Sequence, residues 1–288
     1  MKNSLTIISS LISLILFTAC QKHEPVVDQL YYGNKPPGLI PEIYTPQKGK
    51  INEWKLGNSD SLNMQEFYFT YTGSDLFEPD VVVYRNEGSY YRSNKYSFHQ
   101  TTTENSNILY SRQFFIEKTE SGWSKIKSLG PMFDREDWGI MVMSVSANGT
   151  MVFDDYNSGD VLRISRIVDG VREEPKLLDD QFNSGKWTAH PFIAPDESFI
   201  IWGSEREDGY GLSDNYISFL QEDGSYGPAI NMGDKINSKL VENGAKLTPD
   251  GKFLIFSRSE EKLNEDGSSY WESTKFWVDA KIIETLRP

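Results

Sequence analysis

Three short stretches gather side chains that could do chemistry together: Asp137-Trp138, Trp187-Thr188-Ala189-His190 and Glu242-Asn243. Each comes just before one copy of a recurring turn-and-strand unit. Aligning the copies sets Gly139, Trp187 and Val241 at one level, so Trp138, Trp187, His190, Glu242 and Asn243 are expected to converge. Two indoles, a carboxylate, an amide and an imidazole would suit a sugar or a peptide, with aromatic faces for apolar contact and polar groups for orientation. Tryptophan that merely fills space between sheets is the plainer reading of the same residues. A second chemistry is glycoside cleavage by Asp137 and Glu242. It needs carboxyl groups about 5–5.5 Å apart for retention or 6.5–9.5 Å for inversion, one of them with a raised pKa.

Other chemistries find little support. The chain has 3 histidines, His23, His99 and His190. The last two differ by one in repeat position, so on strands they face opposite ways and do not make a metal set. Asp154-Asp155-Tyr156-Asn157-Ser158-Gly159-Asp160 and the run from Glu260 to Gly267 are rich in oxygen ligands, but neither has the spacing of a calcium loop. They read as solvated loops. Asp208 to Asp214 is glycine-rich but lacks the lysine and helix of a phosphate cradle. No cofactor, metal or catalytic residue is expected.

Cys20 is the only cysteine. Before it come Lys2, an apolar run from Leu5 to Leu16, and Phe17-Thr18-Ala19. A charged start, a short apolar stretch and small residues at the end describe an export leader too short to span a bilayer comfortably. The ending resembles a lipobox, whose thiol is diacylated (palmitate among the acyl chains) as the new N-terminus; Phe17 stands where Leu or Val is usual. The expected product is a lipoprotein of the bacterial cell envelope. Because no Asp follows Cys20, outer membrane is the default, with the periplasmic or surface side left open. Removing residues 1–19 leaves 269 residues with 28 basic and 42 acidic side chains, a formal charge of −14. Such a surface repels nucleic acid and leaves the lipid as the sole membrane contact. With Cys20 acylated, no disulfide can form.

The elements that must position these residues are short strands. Residues 20–38 are polar and proline-bearing, a tether to a domain spanning 39–288. From there β-rich runs alternate with Gly, Asn and Asp turns. Thr248-Pro249-Asp250-Gly251-Lys252-Phe253-Leu254-Ile255-Phe256-Ser257 has copies at Ala194–Gly203 and Ser146–Phe153, with degenerate ones at Thr103–Tyr110 and Leu62–Phe69. In the Pro-Asp-Gly turn, Pro presets φ, Asp bonds local amides and Gly takes positive φ. These aspartates are therefore structural. A second strand follows each copy, and in four copies a tight turn and a third strand come next.

The anchors Phe69, Tyr110, Phe153, Trp202 and Phe256 are 41, 43, 49 and 54 residues apart. Four short strands per such period are the mark of an all-β propeller. Five blades are counted; a sixth stays open if residues 39–60 hold further strands. The last blade lacks an outer strand, and Pro41-Glu42-Ile43-Tyr44-Thr45 is expected to supply it from the N-terminal side, beside Trp277. These units resemble the repeats of TolB-type, WD-repeat-like propellers. Ile193–Ser198, Asp214–Ser218, Trp277–Ile283 and the opening Pro36–Ile43 resemble a family of exported bacterial propellers without a settled activity. That resemblance implies a fold and an exported location, and supplies no catalytic residues. The functional expectation is a monomeric binding or scaffold module for an envelope protein, peptide or glycan, with the glycoside-cleaving enzyme as alternative.

Overall fold

The computed structural model describes residues 35–44, the four strands between 58 and 93, and residues 108–288 apart from 121, 125, 126 and 249. The leader, Cys20, most of the tether, His23 and His99 lie outside the described residues.

Strand β1 (Glu42–Ile43) precedes a first antiparallel sheet of β2 (Asn58–Asp60), β3 (Glu66–Tyr71), β4 (Asp80–Arg85) and β5 (Tyr90–Ser93). In the second, β6 (Ile108–Ser111) pairs with β7 (Phe114–Thr119), which also pairs with β8 (Gly122–Trp123) and β9 (Lys127–Ser128). The third is β10 (Met143–Val145), β11 (Met151–Asp155), β12 (Val161–Ser165) and β15 (Lys176–Leu177); β13 (Ile167–Val168) and β14 (Val171–Arg172) form a separate ribbon. After a one-turn helix, α1 (Asp180–Asn183), comes the fourth: β16 (Lys186–Ile193), β17 (Phe199–Glu205), β18 (Asp214–Phe219) and β19 (Ile230–Asn231). The fifth contains β20 (Val241–Leu247), β21 (Phe253–Leu263) and β22 (Ser269–Asp279), followed by a 3-10 segment, Ala280–Leu286.

The fifth sheet is completed from the other end of the chain. β1 pairs antiparallel with β22 through Glu42 opposite Trp277 and Ile43 opposite Phe276. Tyr44 then packs its ring 5.1 Å from the Trp277 ring. The expected N-terminal strand is found, and it covers an edge that would otherwise offer unpaired backbone groups.

Alternate residues of one strand feed two different cores. Met151 and Phe153 of β11 join Tyr110, Phe133 and Ile140 on the side of the second sheet. Val152 between them joins Leu162, Ile200 and Trp202 on the side of the fourth. In β17, Ile200 and Trp202 face the third sheet while Phe199 and Ile201 face Leu254 and Phe256 of the fifth. Sheets covered on both faces need apolar residues at consecutive positions, which explains runs such as Phe-Ile-Ile-Trp where a one-sided sheet would alternate. The result is a propeller-like all-β fold. Among the described residues no helix is long and apolar enough to cross a membrane.

The repeated turns behave as the composition requires. Asp196 Oδ1 accepts from the Ser198 amide at 3.0 Å, and Asp250 Oδ1 from the Lys252 amide at 3.2 Å. Gly251 takes φ +69°. The Asp169-Gly170 turn closes the β13–β14 ribbon, and through the Glu173 N–H to Arg166 O bond and a one-residue shift of register the same two arms run on into the β12–β15 pairing, so the turn leads to the outer strand as expected.

Candidate functional site

The first strands of the last three sheets, β10, β16 and β20, begin at the same end of the molecule. Tyr156 after β11 donates its amide to Gly139 O, Lys186 lies opposite Glu205, and Val241 lies opposite Ser259. Across sheets, Leu212 N donates to Leu240 O and Glu242 N to Ser213 O. This end carries exposed Tyr156, Trp187, Tyr210 and Leu212. Gly139 makes room for the Tyr156 ring, since a Cβ there would lie 2.5 Å from it. Beyond β20 the β21–β22 pairing runs on to Leu263 opposite Ser269, an arm with exposed Leu263, Tyr270 and Trp271.

Trp187 and His190 owe their positions to two bulges in β16. Between Lys186 and Ala189, and again between Ala189 and Phe192, β16 spends three residues against two of β17. The extra residues are accommodated by positive φ, +53° at Trp187 and +55° at His190. In β20 the corresponding bulge holds Gly244 at +64°, the residue type that adopts this conformation freely. Non-glycine residues held there cost about 1–3 kcal/mol each, and such strain collects at functional sites. Trp187 is 66% exposed.

A buried carboxylate fixes the second bulge. Asp154 Oδ1 accepts from the amides of Met141 and Val142 at 2.9 and 2.8 Å, and Asp154 Oδ2 from the His190 amide at 3.0 Å. Burial pushes the Asp154 carboxyl above its ordinary range, against the pull of those three donors and of the imidazole. Burial likewise pushes the His190 imidazole down, and the Asp154 charge opposes it. Asp154 was read from sequence as part of a solvated loop, yet it is buried. Strand alternation held the signal, for Asp154 and Asp155 follow Phe153 directly and must face opposite sheets. Asp155 accepts from Gly139 N, Ser158 Oγ and Arg163 Nε. Burial works against its charge, but these donors outweigh it and hold the carboxyl low.

The five expected site residues divide. Trp187 and His190 lie three residues apart on the bulged β16. Asn243 occupies the neighbouring β20, its Cβ 3.5 Å from where a Cβ on Gly203 of β17 would stand. Trp138 is half-buried against Phe153 at 5.4 Å, on the side of the second sheet, with the Arg135 and Arg163 guanidinium groups 4.3 and 5.0 Å from its ring. Glu242 does not face the mouth. It is 0% exposed and accepts from Ser238 N, Ser238 Oγ and Arg258 Nε at 2.8, 2.6 and 2.5 Å. Arg258 follows Ser257 in the repeat as Asp155 follows Asp154, so an inward charged pair forms at the same level in two sheets. Asp137 is exposed and paired with Arg135 at 2.5 Å, and that hydrogen bond holds its carboxyl below the ordinary range. Among the described residues no three His, Cys, Asp or Glu side chains gather as a metal site.

No protein-family model matches the chain, and the search of curated proteins finds no match. Among solved structures it is similar to TolB from Acinetobacter baumannii, with 9% identity and a TM-score of 0.46, covering 78% of this chain and 57% of that one. A gluconolactonase, XC5397 from Xanthomonas campestris, gives 10% identity and a TM-score of 0.43, covering 86% of this chain and 88% of the other. A 6-phosphogluconolactonase candidate from Bacteroides uniformis gives 15% and 0.40, covering 75% and 69%.

Proposed function

We propose that the chain is a lipid-anchored binding module of the bacterial envelope, a five-bladed propeller that holds a peptide or glycan at the end carrying Trp187 and His190. The observation that carries this reading is Trp187 itself: a large aromatic kept in solvent on a strained, bulged strand. Folding alone gains little from that placement, whereas a ligand gains a flat apolar face, with His190 on the same strand and Asn243 on the neighbouring one to set its orientation. Tyr156, Tyr210 and the β21–β22 arm extend the same surface. The five-blade count rests on the five four-stranded sheets found among the described residues and on the β1–β22 pairing that completes the fifth. The anchor rests on Cys20 and its leader, and the outer membrane on the residues after it.

Glycoside cleavage by Asp137 and Glu242 has no support of this kind. A general acid needs a raised pKa, whereas Asp137 is held low and Glu242 is sealed against Arg258.

Glycan and peptide arrays probed with the purified protein test the reading. Binding should be lost in Trp187→Ala and kept in Trp138→Ala. Array binding that survives Trp187→Ala, or none at all, defeats it. For the anchor, Cys20→Ser should abolish fatty-acid labelling and membrane fractionation; a variant that still sediments with membranes defeats that part.

A further inference from the structure

β21 and β22 run past the strands that flank them. β20 accompanies β21 only as far as Val241 opposite Ser259, and β1 is followed along β22 as far as Tyr44, whose N–H donates to Lys275 O at 2.8 Å. The two long strands pair with each other further out, from Glu260 opposite Glu272 to Leu263 opposite Ser269. Backbone direction along β22 is set by its partners. Asp279 N donates to Gly38 O and Lys275 O accepts from Tyr44 N, so the odd-numbered residues turn their backbone groups away from β21. A strand alternates, so Ser273, Trp271 and Ser269 turn theirs the same way. Among the described residues no strand pairs with those three on that side, and Ser269 to Ser273 are all exposed. Their N–H and C=O groups form a template for one more strand.

The sequence sets aside two candidates for that strand. If β1 continued in register, Pro46 would stand opposite Ser273, and it has no N–H to give. A second copy would bring the same arm, in which Glu260, Glu261, Glu265, Asp266 and Glu272 outnumber Lys262, and like charges meeting edge to edge oppose the pairing. The same charges favour a basic guest. Lys262 is paired with Glu260 and Asp266 accepts from the Ser268 amide, whereas Glu261 and Glu272 have no ion pair among the described residues. Alternation puts Tyr270 and Glu272 on one face of the arm and Trp271 on the other, with Glu261 opposite it. We propose that the arm takes up an extended peptide of alternating basic and apolar residues, which adds as a strand along Ser269–Ser273 in line with β1. Backbone bonds to Ser269, Trp271 and Ser273 hold it. Its basic side chains lie opposite Tyr270 and Glu272, where ring and carboxylate both attract a cation, and its apolar ones lie opposite Trp271. This site goes beyond the face built on Trp187 and does not need it.

The test is calorimetric titration of the full chain with acetyl-Lys-Val-Lys-Val-Lys-Val-Lys-amide. Methylating every backbone nitrogen of the peptide keeps its charge but removes its donors, and should weaken binding at least about tenfold. Replacing its lysines by glutamates should abolish binding. On the protein, Ser273→Pro deletes an N–H that the β21–β22 ladder does not use, and should weaken binding as methylation does. Glu272→Lys should raise the Kd about fivefold. Trp187→Ala should bind the peptide as the native chain does. The proposal fails if the peptide does not bind, or if the methylated or glutamate peptide binds equally well. It also fails if Ser273→Pro and Glu272→Lys bind as the native chain does, or if Trp187→Ala loses binding. That last result would put the peptide at β16 and leave the proposed function standing, whereas arm binding beside failed arrays would leave the arm alone.

Discussion

The His190 backbone N–H donates to Asp154 Oδ2 at 3.0 Å across the gap between the third and fourth sheets. A carboxylate on the second strand of one sheet thereby sets the shape of the first strand of the next. Since burial disfavours charge on both side chains, the pair is also a pH-dependent element of stability.

The His190 imidazole is depressed below 6.5 in the native state, so the unfolded chain binds its proton first as pH falls. Its contribution is present above pH 6.5 and declines as pH falls from there toward the folded pKa. Urea unfolding at pH 7.5 and 5.5 should show a loss in the native protein that is smaller in His190→Gln. Asp154, raised in the native state, acts in the opposite direction, with stability that is lost as pH rises above the ordinary carboxylate range. Because the Asp154 charge supports the imidazolium, Asp154→Asn should lower the His190 pKa further in an NMR titration.

Glu242→Ala should be among the most damaging single changes, by about 3–5 kcal/mol, because it strands Arg258 beside a closed core. Replacing both partners by apolar residues of similar volume should recover much of that. Chemical denaturation of the single and double variants measures the difference, and additive losses would rule out the pair as a unit.

Trp187→Ala should change stability by no more than about 0.5 kcal/mol, as expected for a surface residue. Trp187→Gly should be more stable than Trp187→Ala by about 1 kcal/mol, because glycine accepts φ +53° without the Cβ penalty. A glycine variant less stable than alanine would show that the bulge is not strained.

Tyr44→Ala should cost about 3 kcal/mol or more, since Tyr44 is buried against Trp277 and holds β1 in place. Limited proteolysis should then cut near residue 40 before it cuts elsewhere. Unchanged cleavage would show that β1 is secured without that ring.

The propeller-like stacking was legible because its local causes are local: a Pro-Asp-Gly or Asn-Gly turn, then a strand with an aromatic at a fixed place. The donated strand followed from counting, since the last unit had three strands and the opening segment had one to spare. The site was only half legible. Alignment placed Trp187, Glu242 and Asn243 near one level, but level along a strand does not say which way a side chain turns. Glu242 turns inward because Arg258 sits across from it, and the two are sixteen residues apart in sequence. The bulges in β16 were missed because Trp187 and His190 do not advertise positive φ; comparison with Gly244 at the matching place could have raised the question.

The pairing of Glu42 with Trp277 joins residues from nearly opposite ends of the described chain. Contacts that distant carry the largest loop-closure entropy and form late in folding. The second, third and fourth sheets can assemble as neighbours along the chain, but the fifth has an open flank until β1 returns to it. The interval before that return is when this protein is most exposed to joining another copy edge to edge, and a substitution that slows the return would raise aggregation during folding more than it lowers the equilibrium stability of the finished fold.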